Sequence, residues 1–290
     1  MAILPPNEKG FKIAGQVIVN ADDFGLTESV NDGVIACHQA GIVRSTSVLA
    51  NGDGLRDALE KSSDHPGLGL GIHLTLVFGK PVAPPEKVRS LIFKKGSLAA
   101  GYPKFAQRYF LGGIKSSEVE YEWEAQREKL AGIKIDHLDS HQHLHLLPGL
   151  FKLVVKLAQK WGIPYVRVPS ENLKINLPAA THSGKVLNLY TLGKKRLLAN
   201  SGLKTTDSFF GSSFSGAMTA DVWPKLWPRI PAGITEIMCH PGLENEQARA
   251  LYGWANKWED EYRALTDPQT LIQGRDSGVA FTNFTEISQR

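Results

Sequence analysis

Short apolar runs recur along this chain, and stretches with helical periodicity separate them. The runs at 17–21, 43–50, 68–77, 133–141, 165–169, 207–210, 235–242 and 279–284 read as strands. Helices are expected at 28–39, 55–61, 118–131, 148–161, 221–227 and 267–273, with a largely helical stretch at 244–264 and a loop plus basic helix in 170–200. Thr27 is placed to cap the first helix and Gly41 to stop it. Strands buried on both faces and alternating with helices make a mainly parallel sheet with helices outside it. Seven or eight such units suit a distorted, TIM-like (β/α) barrel. No linker divides the 290 residues, so a single α/β domain is expected over 1–290. Residues 78–113 break the pattern. Pro81, Pro84, Pro85, Gly96, Gly101 and Pro103 interrupt any periodicity, which marks an insertion over one end of the barrel. Its aromatic residues Phe93, Tyr102, Phe105, Tyr109 and Phe110 are suited either to capping an apolar substrate or to packing a homodimer interface.

Charge and cysteine content exclude several functions. Thirty-three basic against 29 acidic residues give a net charge of +4, with the basic residues scattered, so a nucleic-acid partner is not expected. Cys37 and Cys239 form no CxxC pair and read as buried thiols. The N-terminus is broken by Pro5 and Pro6 and lacks a signal-type apolar core, and no apolar run is long enough for a transmembrane segment. A cytoplasmic location is the expectation.

Histidine is distributed unevenly. Four of the nine lie between positions 137 and 145, where a random spread would place about 0.3. His137, Asp139, His141, His143 and His145 share one parity, so an extended strand would point them to one face. Titratable groups on an inward face are costly unless a metal or a hydrogen-bond network pairs them. His141, His143 and His145 cannot all reach one ion, because a strand climbs about 6.6 Å every two residues. Asp22 and Asp23 follow the first apolar run, and as strand neighbours they point to opposite sides. One can bind a metal while the other stands beside the attacking water. His73 and His240 each lie at or near the end of a later strand. Each feature alone has an ordinary explanation, an Asp-rich turn or a hydrogen-bonded core histidine. Together, at strand ends, they suit a hydrolytic site with Asp and His ligands.

The segments Ala21-Asp22-Asp23-Phe24-Gly25, Gly71-Ile72-His73-Leu74, the stretch from Asp139 to His145, and Cys239-His240-Pro241-Gly242 occur in an order that resembles the YdjC/ChbG-like carbohydrate deacetylases. The stretch from Arg108 to Pro148 is most similar to the hopanoid-associated (HpnK-like) branch of that family. The resemblance implies one divalent ion, Mg2+ or Zn2+, held by Asp23, His73 and His141. It implies Asp22 as general base, His240 as the acid that protonates the leaving amine, and His143 and His145 in the substrate site. Arg167 is expected to orient Asp22, to bind substrate or to form a surface salt bridge. The implied reaction removes acetate from an N-acetylated sugar, an N-acetylglucosamine-type glycan or a glycosylated hopanoid. Another metal-dependent hydrolase (phosphoesterase or amidohydrolase) and a non-catalytic sugar-binding barrel are the alternatives. His137 is expected to be structural, and His38, His65 and His182 have no expected role. Among the late aromatic residues, Phe209, Phe210, Trp223, Trp227, Trp254 and Trp258 are candidates for stacking on a sugar.

Overall fold

Residues 15–171, 188–243 and 246–289 are described by a computed structural model. The lead-in at 1–14 and most of the loop expected in 170–200, with His182, lie outside the described residues. Among the described residues there are eight strands: β1 (Gly15–Phe24), β2 (Ser45–Val48), β3 (Gly69–Leu74), β4 (His137–Ser140), β5 (Tyr165–Val166), β6 (Ser208–Phe210), β7 (Ile234–Cys239) and β8 (Val279–Phe281). All pair in parallel. The path runs β5-β4-β3-β2-β1-β7-β6, with β8 added beside β1. β1 holds three neighbours because β8 pairs with its first residues and β2 with its last, on one edge. The two ends of the path approach each other through isolated bridges, Tyr165 with Lys204 and Glu171 with Phe209. The result is a curled parallel sheet in a single α/β domain, the distorted barrel expected from the alternation.

The helices are α1 (Glu28–Gln39), α2 (Leu55–Ser63), α3 (Tyr102–Phe110), α4 (Ser116–Lys129), α5 (Leu150–Trp161), α6 (Lys194–Asn200), α7 (Trp223–Leu226), α8 (Glu246–Tyr252), α9 (Trp258–Thr266), α10 (Pro268–Asp276) and α11 (Phe284–Ser288). None of them is long and apolar enough to cross a membrane. The Thr27 hydroxyl caps α1 by accepting from the Val30 N–H at 3.2 Å. Residues 78–113 are well packed: Val88, Leu91, Leu98 and Phe105 are buried. Val77 bridges Ala99, and the buried Glu122 of α4 accepts from the Val82 and Ala83 N–H groups. Phe110 and Leu111, at the end of α3, are exposed.

Strand alternation sorts the barrel. Val17, Val19 and Ala21 of β1 belong to the large core under the helices, while Ile18 packs with Tyr165, Phe284, Ile287 and Ile234 in a separate apolar cluster. That cluster plugs the N-terminal end of the barrel with α11. Above it the inward positions turn polar: Asn20 and Asp22 on β1, Ser47 on β2, His73 on β3, His137 and Asp139 on β4, Glu236 on β7. All are buried. Gly71 has no side chain for a direct reason. A Cβ there would lie 2.3 Å from the His137 ring.

Two expectations about backbone are corrected. β1 does not stop before the carboxylates but runs through Asp22 and Asp23 to Phe24. Its register against β2 shifts between Ala21 and Phe24, and Asp23 has a left-handed φ of 67°. This bulge cancels the alternation, so both side chains reach the same cavity. The histidine run is not one extended strand either. β4 ends at Ser140, and residues His141–Leu146 form a tight 3₁₀ segment in which Gln142 and His143 both have φ of 53°. Two successive left-handed side-chain-bearing residues cost of order 1–3 kcal/mol each. Neighbouring bonds hold the turn: Gln142 Oε1 accepts from the Tyr102 N–H at 2.6 Å, and Ser140 Oγ accepts from the His145 N–H at 3.0 Å.

Candidate active site

The C-terminal ends of the strands open into a cavity of about 650 Å³ whose lining includes Asp22, Asp23, His73, His141, His143 and His240. Six of the eight candidate residues therefore meet in one place, carried there by β1, β3, β7 and the turn after β4. His145 and Arg167 do not line it. His145 is buried with both ring nitrogens engaged, Nδ1 with the Ser140 hydroxyl at 2.6 Å and Nε2 with the Arg167 carbonyl at 2.9 Å. Burial pushes it down to about 4. It braces the turn from behind. Arg167 lies under the cavity floor.

Asp23 Oδ1 lies 2.8 Å from His141 Nδ1 and 3.4 Å from His73 Nε2. One ligand-type atom from each of Asp23, His73 and His141 falls within a 4.8 Å set. Four-coordinate zinc with bonds of about 2.1 Å needs ligand atoms about 3.4 Å apart, so the three residues converge at about the right separation for a divalent ion. Two further observations fit. Asp23 Oδ2 and His141 Nε2 are buried with no hydrogen-bond partner among the described residues, and His73 Nδ1 is held by Asp139 Oδ1 at 2.7 Å. A carboxylate behind the imidazole fixes which nitrogen faces an ion. Burial opposes ionisation of Asp23, yet His141 and His73 hold its carboxyl well below the usual range. Burial alone would lower His73, but Asp139 and Asp22 raise it to about 10. The fit is that of two imidazoles and a carboxylate around one ion.

Asp22 is set apart from this trio by Arg167. The guanidinium holds both Asp22 oxygens, Nη1 to Oδ2 at 2.6 Å and Nη2 to Oδ1 at 2.7 Å. It also meets Asp139 Oδ2 at 2.7 Å and Glu236 Oε1 at 2.7 Å. Asn20 Nδ2 donates to Asp22 Oδ1, and to Ser47 Oγ, which donates to Asp139. Three buried carboxylates thus share one buried cation. Removing such a cation costs about 3–5 kcal/mol, because it strands the charges it held. Burial opposes the Arg167 charge, but Asp139, Asp22 and Glu236 raise it well above its ordinary value. Arg167 is buried, so the surface salt bridge among its expected roles does not hold, and its contacts are those of a clamp on Asp22.

Around the metal-type cluster the walls are aromatic. Trp254 stacks on His141 with ring centroids 4.6 Å apart, and Phe78 meets both rings edge-on at 5.4 and 4.7 Å. Of the late aromatic candidates only Trp254 lines the cavity; Phe209, Trp223, Trp227 and Trp258 are core. Tyr102 from the 78–113 stretch lines it as well. His143 faces the cavity with Nδ1 buried and unpartnered among the described residues, held neutral by burial and by the Arg167 charge. His137 stacks on Phe284 at 4.2 Å and bonds Asp136 and Ser47, away from the cavity.

Sequence reasoning left Asp139, Glu236, Asn20 and Ser47 without roles. Asp139 carried a usable signal, since it shares the parity of His137, but only register places it beside His73. Glu236 interrupts an apolar run at an inward position, a sequence signal of the same kind.

Comparison with known proteins finds relatives along nearly the whole chain. Over 271 residues the chain is 31% identical to a carbohydrate deacetylase of Thermoanaerobacter pseudethanolicus, covering 93% of this chain and 98% of that one. A chitooligosaccharide deacetylase of Proteus mirabilis is 37% identical over 269 residues, 90% of this chain and 92% of its own. A crystal structure from Enterococcus faecalis, named for cellobiose-phosphate cleavage, superposes with a TM-score of 0.78 at 26% identity, covering 94% of this chain and 98% of that one. The family model described as YdjC-like protein matches residues 16–272, which span β1 through most of α10 and carry every residue of the cavity cluster, and the chain belongs to that family.

Proposed function

We propose that this protein is a metal-dependent carbohydrate N-deacetylase, hydrolysing the acetamide of an N-acetylated sugar to acetate and the free amine. The observation that carries the reading is the pairing at the cavity floor: a metal-type trio, Asp23, His73 and His141, beside a second carboxylate, Asp22, that an arginine clamps. The two deacetylase relatives point to the same reaction. Two imidazoles and one carboxylate favour Zn2+ over Mg2+, which prefers an all-oxygen shell. A divalent ion held there would polarise the acetyl carbonyl and make a nearby water more acidic.

The chain's own residues supply the remainder. Asp22, fixed by Arg167 and Asn20, takes a proton from the attacking water as its oxygen bonds the acetyl carbon. His240, on the same cavity wall as Met238, gives a proton to the amine nitrogen as the C–N bond breaks and its electrons stay on nitrogen. His143 offers a neutral ring nitrogen to a sugar hydroxyl. Trp254 and Tyr102 supply flat apolar surface to a pyranose ring. The mixed apolar and polar walls suit an N-acetylglucosamine-type unit, free or carried on an apolar aglycone such as a hopanoid.

Acetate release from N-acetylglucosamine, chitooligosaccharides and a glycosylated hopanoid, with Zn2+ or Mg2+ added back to chelator-treated protein, tests the reading. Turnover on at least one substrate, lost on chelation and lowered about 10²–10⁴-fold by Asp22→Asn, is expected. No acetate from any substrate with either metal would remove the proposal.

A further inference from the structure

We infer that Glu261 of α9 is a positioning residue for His240, fixing the imidazole for proton delivery to the leaving amine. This rests on the deacetylase reading above. In the sequence Glu261 belongs to an acidic first turn, Glu259, Asp260 and Glu261, where a solvated carboxylate is the ordinary occupant. In the structure it is fully buried. Its Oε2 accepts from the His240 N–H at 2.6 Å and its Oε1 from the Met218 N–H at 3.1 Å. The two donors come from different segments, of which His240 lines the cavity. His240 follows the last residue of β7, and Met218 closes the segment that brings Ser212 and Ser215 to the lining.

The way β7 ends explains the need. Its ladder with β1 stops at Cys239 opposite Ala21, so the His240 N–H has no strand partner. Pro241 has no N–H at all, and the Gly242 N–H goes to the Trp258 carbonyl at 3.2 Å. The exit of the strand is therefore anchored on α9 and not on the sheet. The His240 ring gives little purchase of its own, because its Nδ1 is buried with no partner among the described residues. Its direction is set through its backbone, and Glu261 holds that backbone. A carboxylate is the group the geometry asks for. It accepts with both oxygens and satisfies two converging N–H donors, whereas glutamine has one oxygen and would set its NH₂ against the second N–H. Burial pushes the Glu261 carboxyl up, while His240 and the two N–H donors draw it back.

The test is a double-mutant cycle on the metal-loaded enzyme, with acetate release from an N-acetylglucosamine substrate as the readout, using Glu261→Gln, His240→Ala and the two combined. Glu261→Gln is expected to lower kcat about tenfold with KM within about twofold, and to cost nothing further once His240 is alanine. Metal content and thermal melting of each variant accompany the kinetics. Additive losses in the double variant, or a rise in KM in place of the fall in kcat, would overturn the assignment. Should Glu261→Gln fail to fold, Glu261→Asp, one methylene too short to reach both donors, enters the same cycle with the same criterion. A wild-type protein that releases no acetate would instead strike at the deacetylase reading itself, a result that the cycle separates from an additive one.

Discussion

His73 shows how one side chain is prepared for two partners. Its Nδ1 faces the carboxylate of Asp139 and its Nε2 faces Asp23. In the metal-free protein the surrounding carboxylates raise it to about 10, above the ordinary histidine value of 6.5. An ion on Nε2 requires the neutral ring, so binding must expel a proton at every pH below that raised value. Lower pH opposes binding and higher pH favours it. Apparent affinity for Zn2+ is expected to climb about tenfold per pH unit between pH 6.5 and 8.5. Calorimetric titration in two buffers of different protonation enthalpy should register close to one proton released. Asp139→Asn removes the charge behind the ring, and should weaken the metal about 10–100-fold while flattening the pH dependence. Affinity that does not change with pH would mean that His73 is not a ligand.

At the scale of elements, the bulge in β1 and the turn after β4 do what regular secondary structure cannot. A regular strand would send Asp22 and Asp23 to opposite faces, one into the barrel and one under α1. The left-handed residue at Asp23 turns both into the cavity, at a cost in backbone strain. Comparing two substitutions at that position isolates the strain, since both delete the carboxylate. Asp23→Gly should be more stable than Asp23→Ala by about 1 kcal/mol in denaturant unfolding of metal-free protein, because only glycine adopts that φ without penalty. Equal stabilities would show that the bulge relaxes when the carboxylate is gone. The element scale is also where the sequence was hardest to read. The apolar runs place β1, β3 and β7 well, because burial on both faces leaves a continuous signal. Nothing in the spacing of His141, His143 and His145 announces that β4 stops at Ser140. A Ser140 hydroxyl and the Gln142 side chain, both bonding to backbone N–H groups, decide it.

At the scale of the molecule, the barrel is closed at one end by apolar packing and open at the other onto chemistry. α11 was not expected from the sequence, where 279–284 reads as one strand. Its Phe284 stacks on His137 and packs against Ile18 and Tyr165, while Thr285 donates to Asp136 at 2.7 Å. The plug thus touches the lowest member of the chain His137–Ser47–Asp139–His73 that reaches the cavity. Phe284→Ala should cost about 3–5 kcal/mol by thermal or denaturant unfolding. A loss under 1 kcal/mol would show that the plug is dispensable to the barrel.

By itself the sequence determined the parallel α/β architecture, since continuous apolar runs between amphipathic stretches have few other ways to bury their surface. It also determined which residue types meet at strand ends, because Asp22, Asp23, His73, His141 and His240 each lie at or near the close of such a run. Tertiary structure alone decided who faces whom. Asp139 finds His73 through the register of β3 and β4, Arg167 finds Asp22 across the barrel, and Glu261 finds the His240 backbone from a helix whose pattern reads as solvated. The physical reason is common to all three. Periodicity along a chain records burial, but the pairing of buried charges depends on positions far apart in sequence that only the closed sheet brings within hydrogen-bond distance.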